Sequence, residues 1–192
     1  MSRIKRFLAC CRAAAALETA LIFPLVLAVG ALCTDIYTVG LEREHMEQRS
    51  GAIASVLGYQ TELTEEGLQG LLDAVLPEDL SGNYQILISN VRRNGLVYWQ
   101  LSRGSATDLC EDNQAAAGDA WPGDLPERDE EDDSDNVSMV VVDICREGSD
   151  VSLVGGLSIS GLLHASTVNR VAHGLIALDD ALAQEAGLDE DE

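Results

Sequence analysis

The sequence predicts an α+β fold in which one long N-terminal helix packs on a small antiparallel sheet. Three stretches of the 192 residues carry that expectation. From Ala13 to Thr34 the chain is apolar with Glu18 as its only charge, and about 20 such residues suffice to cross a hydrocarbon core as a helix. Leu41 to Leu57 continues without proline and places Ala52, Ile53, Val56 and Leu57 on one helix face. Farther along, Tyr84 to Val91 and Leu96 to Leu101 are β-prone runs on either side of Asn94-Gly95.

Taken in order, the elements begin with one helix from about Ala14 to about Leu57. At 1.5 Å per residue it rises on the order of 65 Å, so its second half projects beyond a bilayer. Pro24 is expected to kink it, because a proline nitrogen has no hydrogen to give to the carbonyl four residues back. Gly58 and the stretch Thr61 to Glu65 break the pattern. Thr64 is then a good N-cap for a short amphipathic helix running to Leu76, where Pro77 stops it. Asn94-Gly95 predicts a type I′ hairpin turn. Residues 106–136 are polar, carry Gly118, Pro122, Gly123 and Pro126, and end in the acidic run Asp129 to Asp135, which reads as a long loop. Val137 to Cys145 is a buried strand and Leu162 to Val171 the last strand. Leu175 to Ala186 has helical spacing, and Asp189 to Glu192 should fray. The organisation is therefore a basic leading segment 1–13, a membrane helix 14–34, its continuation 35–57, an α+β domain 58–174 with the acidic loop 106–136, and a helical acidic tail 175–192. One anchor and one domain are all this length accommodates.

Net charge is −21, and its distribution matters more than its sum. Arg3, Lys5, Arg6 and Arg12 precede the apolar run with no acid among them, whereas residues 42–192 hold eight Arg and no Lys against 31 acids, or 8 − 31 = −23. Basic flanks stay on the cytoplasmic side, which orients the chain N-terminus in and acidic domain out. Such a domain repels phosphate backbones, so no nucleic-acid partner is expected, while membrane lipid is an expected partner. A secretory signal peptide competes with the anchor reading, with small residues at Val29-Gly30-Ala31, but Glu18 and Pro24 sit badly in its apolar region. A lipoprotein signal fails at Leu32, where a small residue must precede Cys33. Cys110 and Cys145 are the only cysteines beyond the apolar helix, and an even pair in an oxidising compartment reads as a disulfide, two free buried thiols being the alternative.

Residues that suggest chemistry are few. The acidic runs lack the ligand spacing of a Ca²⁺-binding loop. His45, His164 and His173 have no Cys or His three or four residues away, so they read as surface or satisfied side chains. Gly156-Leu157-Ser158-Ile159-Ser160 misses the nucleophile elbow at Ser160. Neither a catalytic residue, a metal site nor a cofactor is expected, and Asp35 reads as interfacial.

The N-terminal pattern is more specific. A basic leader, then Ala14-Ala15-Ala16-Leu17-Glu18-Thr19-Ala20-Leu21-Ile22-Phe23-Pro24, resembles the start of a type IV prepilin, and within those the TadE/TadF-type minor pseudopilins of the tight-adherence (Flp) pilus system. The resemblance covers about the first 30 residues. Ala13 stands where prepilins usually have Gly, and Thr19 where an aromatic commonly follows the glutamate. It implies cleavage between Ala13 and Ala14 by a prepilin peptidase, Glu18 as the fifth mature residue, a pilin-like domain, and other pilins and pseudopilins as partners. It also implies a role for Glu18 in assembly: a carboxylate in hydrocarbon needs a cation, and a neighbour's Ala14 amine would supply one. The chain would then be an inner-membrane pilus assembly protein, possessing no catalysis of its own. A membrane-anchored extracytoplasmic binding domain with no pilus role is the alternative.

Overall fold

A computed structural model describes residues 11–76, 83–126, 137–151 and 161–188. The first element, α1, is a single α-helix over Cys11–Leu57, 47 residues that include Pro24, or about 70 Å. Its two halves meet different surroundings. Leu17, Leu21, Phe23, Leu25 and Val26 are exposed, and this half is apolar and long enough to cross a membrane. Met46, Ile53, Ala54 and Leu57 in the second half are buried, and their spacing of seven, one and three residues places them on one stripe.

That stripe lies on a four-stranded antiparallel sheet. Its strands are β2 (Tyr84–Arg92), β3 (Val97–Gly104), β4 (Ser138–Glu147) and β5 (Leu162–Arg170), in the order β3-β2-β4-β5. Alternation along each strand sends Ile86, Ile88, Trp99, Leu101, Val140, Val142, Ile144 and Ala165 to the helix side, where they join the buried α1 residues in one core. Each fully buried aliphatic side chain stabilises by about 1.5–3 kcal/mol relative to exposure. The helix ends against β5 at Gly58, whose N–H donates to the Ala54 carbonyl and whose carbonyl accepts from Ala172 N–H. A Cβ there would meet the Arg170 carbonyl oxygen at 3.1 Å and the Ala54 oxygen at 3.2 Å, so glycine permits the close approach.

Shorter elements close the core. β1 (Glu62–Leu63) pairs in parallel with β6 (Ala177–Leu178), and α2 (Glu65–Val75) and α3 (Asp180–Glu185) follow these two strands. Thr64 Oγ1 caps α2 by accepting from Gly67 N–H at 3.2 Å. Asp179 caps two helices at once, since Oδ1 accepts from Leu182 N–H and Oδ2 from Glu65 N–H. These backbone donors, Leu182 first and Glu65 second, hold its carboxyl below the ordinary carboxylate range. Trp99 Nε1 donates to the Ile176 carbonyl at 2.7 Å inside the core and so anchors the chain leading to β6.

Several expectations need correction. The hairpin turn is not type I′: Gly95 has φ +85°, but among the described residues no non-glycine has positive φ, Asn94 included. Gly95 N–H donates to the Arg92 carbonyl and Arg92 N–H to the Leu96 carbonyl. This is a type I turn followed by a left-handed glycine that opens a bulge, and the register shifts between Asn90 and Val91 accordingly. The tail is helical only from Asp180, because Ile176 is wholly buried and Ala177–Leu178 must be extended to pair with β1. Asp35 is buried rather than interfacial. The acidic run Asp129 to Asp135, the segment Gly156 to Ser160, Pro77 and Asp189 to Glu192 lie outside the described residues.

Candidate functional site

Two surfaces offer more than packing. The first is the bare half of α1. Ala13 and Ala14 lie in its first turn, Glu18 is exposed one turn farther along a surface of Leu17, Leu21, Ile22 and Leu25, and Pro24 lies within the helix. Such an apolar surface on a soluble domain would be a large liability, since contiguous exposed apolar patches beyond a few hundred Å² mark membrane or protein contacts. Its lower limit is an ionic joint. Glu42 Oε1 accepts from Arg146 Nη1 at 2.5 Å, with Arg49 at 3.6 Å from the same oxygen and His45 Nδ1 at 3.9 Å from Oε2. Arg146 projects from β4, so this joint fixes α1 to the sheet where the bare half leaves it.

The second surface is the sheet's outer face, opposite α1. Residues 106–126 cross it as a strap. Gln85 Oε1 accepts from the N–H groups of Leu109 and Cys110, and Gln85 Nε2 donates to Ser102 Oγ and the Thr107 carbonyl. Gln100 repeats the device by accepting from Ala115 N–H and donating to Ser89 Oγ and the Asn113 carbonyl. A disulfide joins Cys110 to Cys145 with Cα atoms 5.7 Å apart, and Trp121 closes the far end on Val91, Val97 and Val141. The long polar loop is thus ordered over residues 106–126, with a 3₁₀ turn at Glu111–Asn113.

At the strap's edge stands a buried carboxylate. Asp143 is fully buried; its Oδ1 accepts from Asn113 Nδ2 at 2.9 Å and lies 2.7 Å from His164 Nε2, while its Oδ2 has no hydrogen-bond partner among the described residues. The Asp143 hydrogen bond raises the His164 pKa above its ordinary value, against partial burial, with Asp143's charge adding to the rise. Protonation there supplies the charge a buried carboxylate requires. Spacing could not reveal this pair, because it depends on register: His164 lies opposite Cys145, and Asp143 is its diagonal neighbour. His173 is exposed. Among the described residues no group of three His, Cys, Asp or Glu is placed to hold a metal ion.

Comparison with known protein families, with curated proteins and with solved structures finds no match. The functional reading therefore rests on the chain's own geometry and on its N-terminal pattern.

Proposed function

We propose that this chain is a membrane-anchored minor pseudopilin of a Tad-type pilus, made with a basic leader, cleaved between Ala13 and Ala14 by a prepilin peptidase, and assembled beside other pilins through α1. The observation that carries the reading is one uninterrupted helix whose first half is bare and apolar and whose second half forms the core of a small α+β domain. A continuous helix of this kind lets an extracytoplasmic domain be carried by lateral packing of its membrane half. Basic residues hold the N-terminus in the cytoplasm and place the acidic domain in the periplasm, where the Cys110–Cys145 disulfide persists.

Glu18 gives this assembly its specificity. A carboxylate at the inner end of the span is disfavoured unless paired, and the Ala14 amine freed on a neighbouring subunit is the cation that only processed subunits offer. The chain acts as a substrate of the peptidase and as a structural part, with no cofactor.

The experiment is a chromosomal Glu18→Gln strain in which protein level, N-terminal sequence and pilus yield are read together. Normal insertion and an Ala14 N-terminus with pilus yield abolished or sharply reduced, since removal of a buried ion-pair partner worth about 3–5 kcal/mol lowers association by more than about a hundredfold, supports the pairing. Wild-type yield with normal processing removes it, and an intact Met1 chain in cells with the peptidase removes the pseudopilin reading and leaves a membrane-anchored binding domain.

A further inference from the structure

The apolar run ends at Thr34 by sequence, but the bare surface of α1 does not end there. Asp35, the charge that closes the run, is only 1% exposed, and it makes a polar or electrostatic interaction rather than standing free. The helix turns its apolar neighbours the other way: Ile36 is 61% and Tyr37 67% exposed. The threonine hydroxyls on this stretch are satisfied within the helix. Thr34 Oγ1 donates to the Gly30 carbonyl and Thr38 Oγ1 to the Thr34 carbonyl, both at 2.9 Å, the arrangement that lets threonine face hydrocarbon without an orphaned donor. Glu42 follows with its carboxylate held by Arg146, and the first exposed charge after Glu18 is Arg43, 66% exposed at its side chain and paired along the helix with Glu47.

From these observations, and resting on the membrane reading above, we infer that the lipid-contacting surface of α1 extends past Thr34 to about Leu41, with Asp35 turned away from lipid and Tyr37 at the outer headgroup level. The occupant is the bilayer itself. Beyond Thr34 the surface is continuous with the apolar run, carries no exposed charge as far as Leu41, and presents a tyrosine where membrane proteins concentrate aromatic anchors. Leu17 to Tyr37 rises about 30 Å and matches a hydrocarbon core of about 30 Å, which leaves the turn from Tyr37 to Leu41 in the headgroup layer. The α+β domain then sits directly on the membrane surface, with the Glu42–Arg146 joint at its base, and does not stand off on a solvated stalk formed by residues 35–57.

The test uses the full chain, with Cys10 and Cys11 replaced by Ser, reconstituted alone in phosphatidylcholine vesicles. Spin labels are placed at the native Cys33, which is exposed and free, and, with Cys33 replaced by Ser, at Ile36→Cys, Tyr37→Cys and Glu44→Cys. Collision with molecular oxygen reports lipid, and collision with a nickel chelate reports water. The expected result is an oxygen-favoured ratio at 33, 36 and 37 that reverses to nickel-favoured at 44. Labels at 36 and 37 that read like 44 while 33 remains in lipid would overturn the extended surface and leave the span intact. A nickel-favoured label at Cys33 would overturn the membrane reading itself. Because the vesicles hold no second protein species, and the protein is kept dilute, shielding by a partner chain is distinguishable: it appears only as the protein-to-lipid ratio rises, and shielding of that kind also counts against the inference.

Discussion

The two faces of the sheet are held by different chemistry. On the inner face, Ile86, Ile88, Trp99, Leu101, Val140, Val142 and Ile144 pack with Met46, Ile53, Ala54 and Leu57 of α1 into one apolar core. On the outer face the strap is held mainly by the amides of Gln85 and Gln100, the Asp143–His164 pair and one disulfide, with a small apolar cluster of Trp121 on Val91, Val97 and Val141 at its far end. Apolar burial is shared among many side chains and fails cooperatively. Each intramolecular hydrogen bond nets only about 0.5–1.5 kcal/mol, so the outer face can open without the inner one, as local unfolding in proteins generally does. The inner face therefore sets global stability, and the outer face sets what the strap-covered surface of the domain looks like.

The largest effect that tests this division comes from the inner face. Ile53 is fully buried in the core, and Ile53→Ala is expected to lower the unfolding free energy by about 4 kcal/mol, from lost transfer energy and the cavity left behind. Hydrogen exchange should then accelerate across all four strands. A loss confined to α1, with the strands unaffected, would show that helix and sheet are separate units and break the comparison.

This contrast also explains what the sequence made legible. Residues such as Ile53, Leu57, Val140 and Val142 announce themselves by periodicity, because burial selects apolar side chains at the repeat of the element. The helix from the apolar run to Leu57, the strands from Tyr84, Val137 and Leu162, and the Thr64 cap were accordingly readable. The outer face was not. Gln85 and Gln100 look like solvent-facing residues of a half-buried strand, and nothing local says that their amides bind the backbone of a segment 13 to 25 residues away. Asp143 and His164 meet only through register, and Asp35 is hidden by the azimuth of a helix whose seam with the sheet the sequence does not mark. The bare half of α1 and the position of Glu18 were legible from composition alone.

A second, smaller effect comes from the disulfide. Its partners are 35 residues apart in sequence, and removing it by Cys110→Ala with Cys145→Ala is expected to cost on the order of 3 kcal/mol through the entropy of the unfolded chain. In the native state exchange should rise at Leu109, Cys110 and Ala115, whose N–H groups the two glutamines hold, while the β2–β4 ladder stays protected. Equal acceleration in the ladder would mean that the strap supports the core, and the two faces would then be one unit.

The smallest effect sharpens the comparison most, because it titrates. His164 is 40% exposed at its side chain and 2.7 Å from the buried Asp143, and its folded-state pKa is raised above the ordinary value of 6.5, first by the Asp143 hydrogen bond and then, after a lowering from burial, by Asp143's charge. Arg43 opposes the rise and Asp112 adds to it. A raised pKa means that the folded protein holds the proton more tightly than the unfolded chain. The resulting stabilisation is fully present below about pH 6.5 and is lost as pH rises through the higher folded value. Solvent screening of so exposed an imidazole limits the contribution to less than about 1 kcal/mol. Above that range Asp143 keeps the Asn113 amide as donor but loses its nearest positive charge, so the 3₁₀ turn at Glu111–Asn113 should be where the strap first loosens. The measurement is hydrogen exchange at Asn113 and Gln114, corrected for intrinsic rate, between pH 6 and pH 8, in the wild type and in His164→Gln. His45 and His173 are common to both proteins, so a wild-type loss of protection absent from the variant assigns the effect to His164. The same pH dependence in both would assign it elsewhere and leave the outer face without a titrating latch.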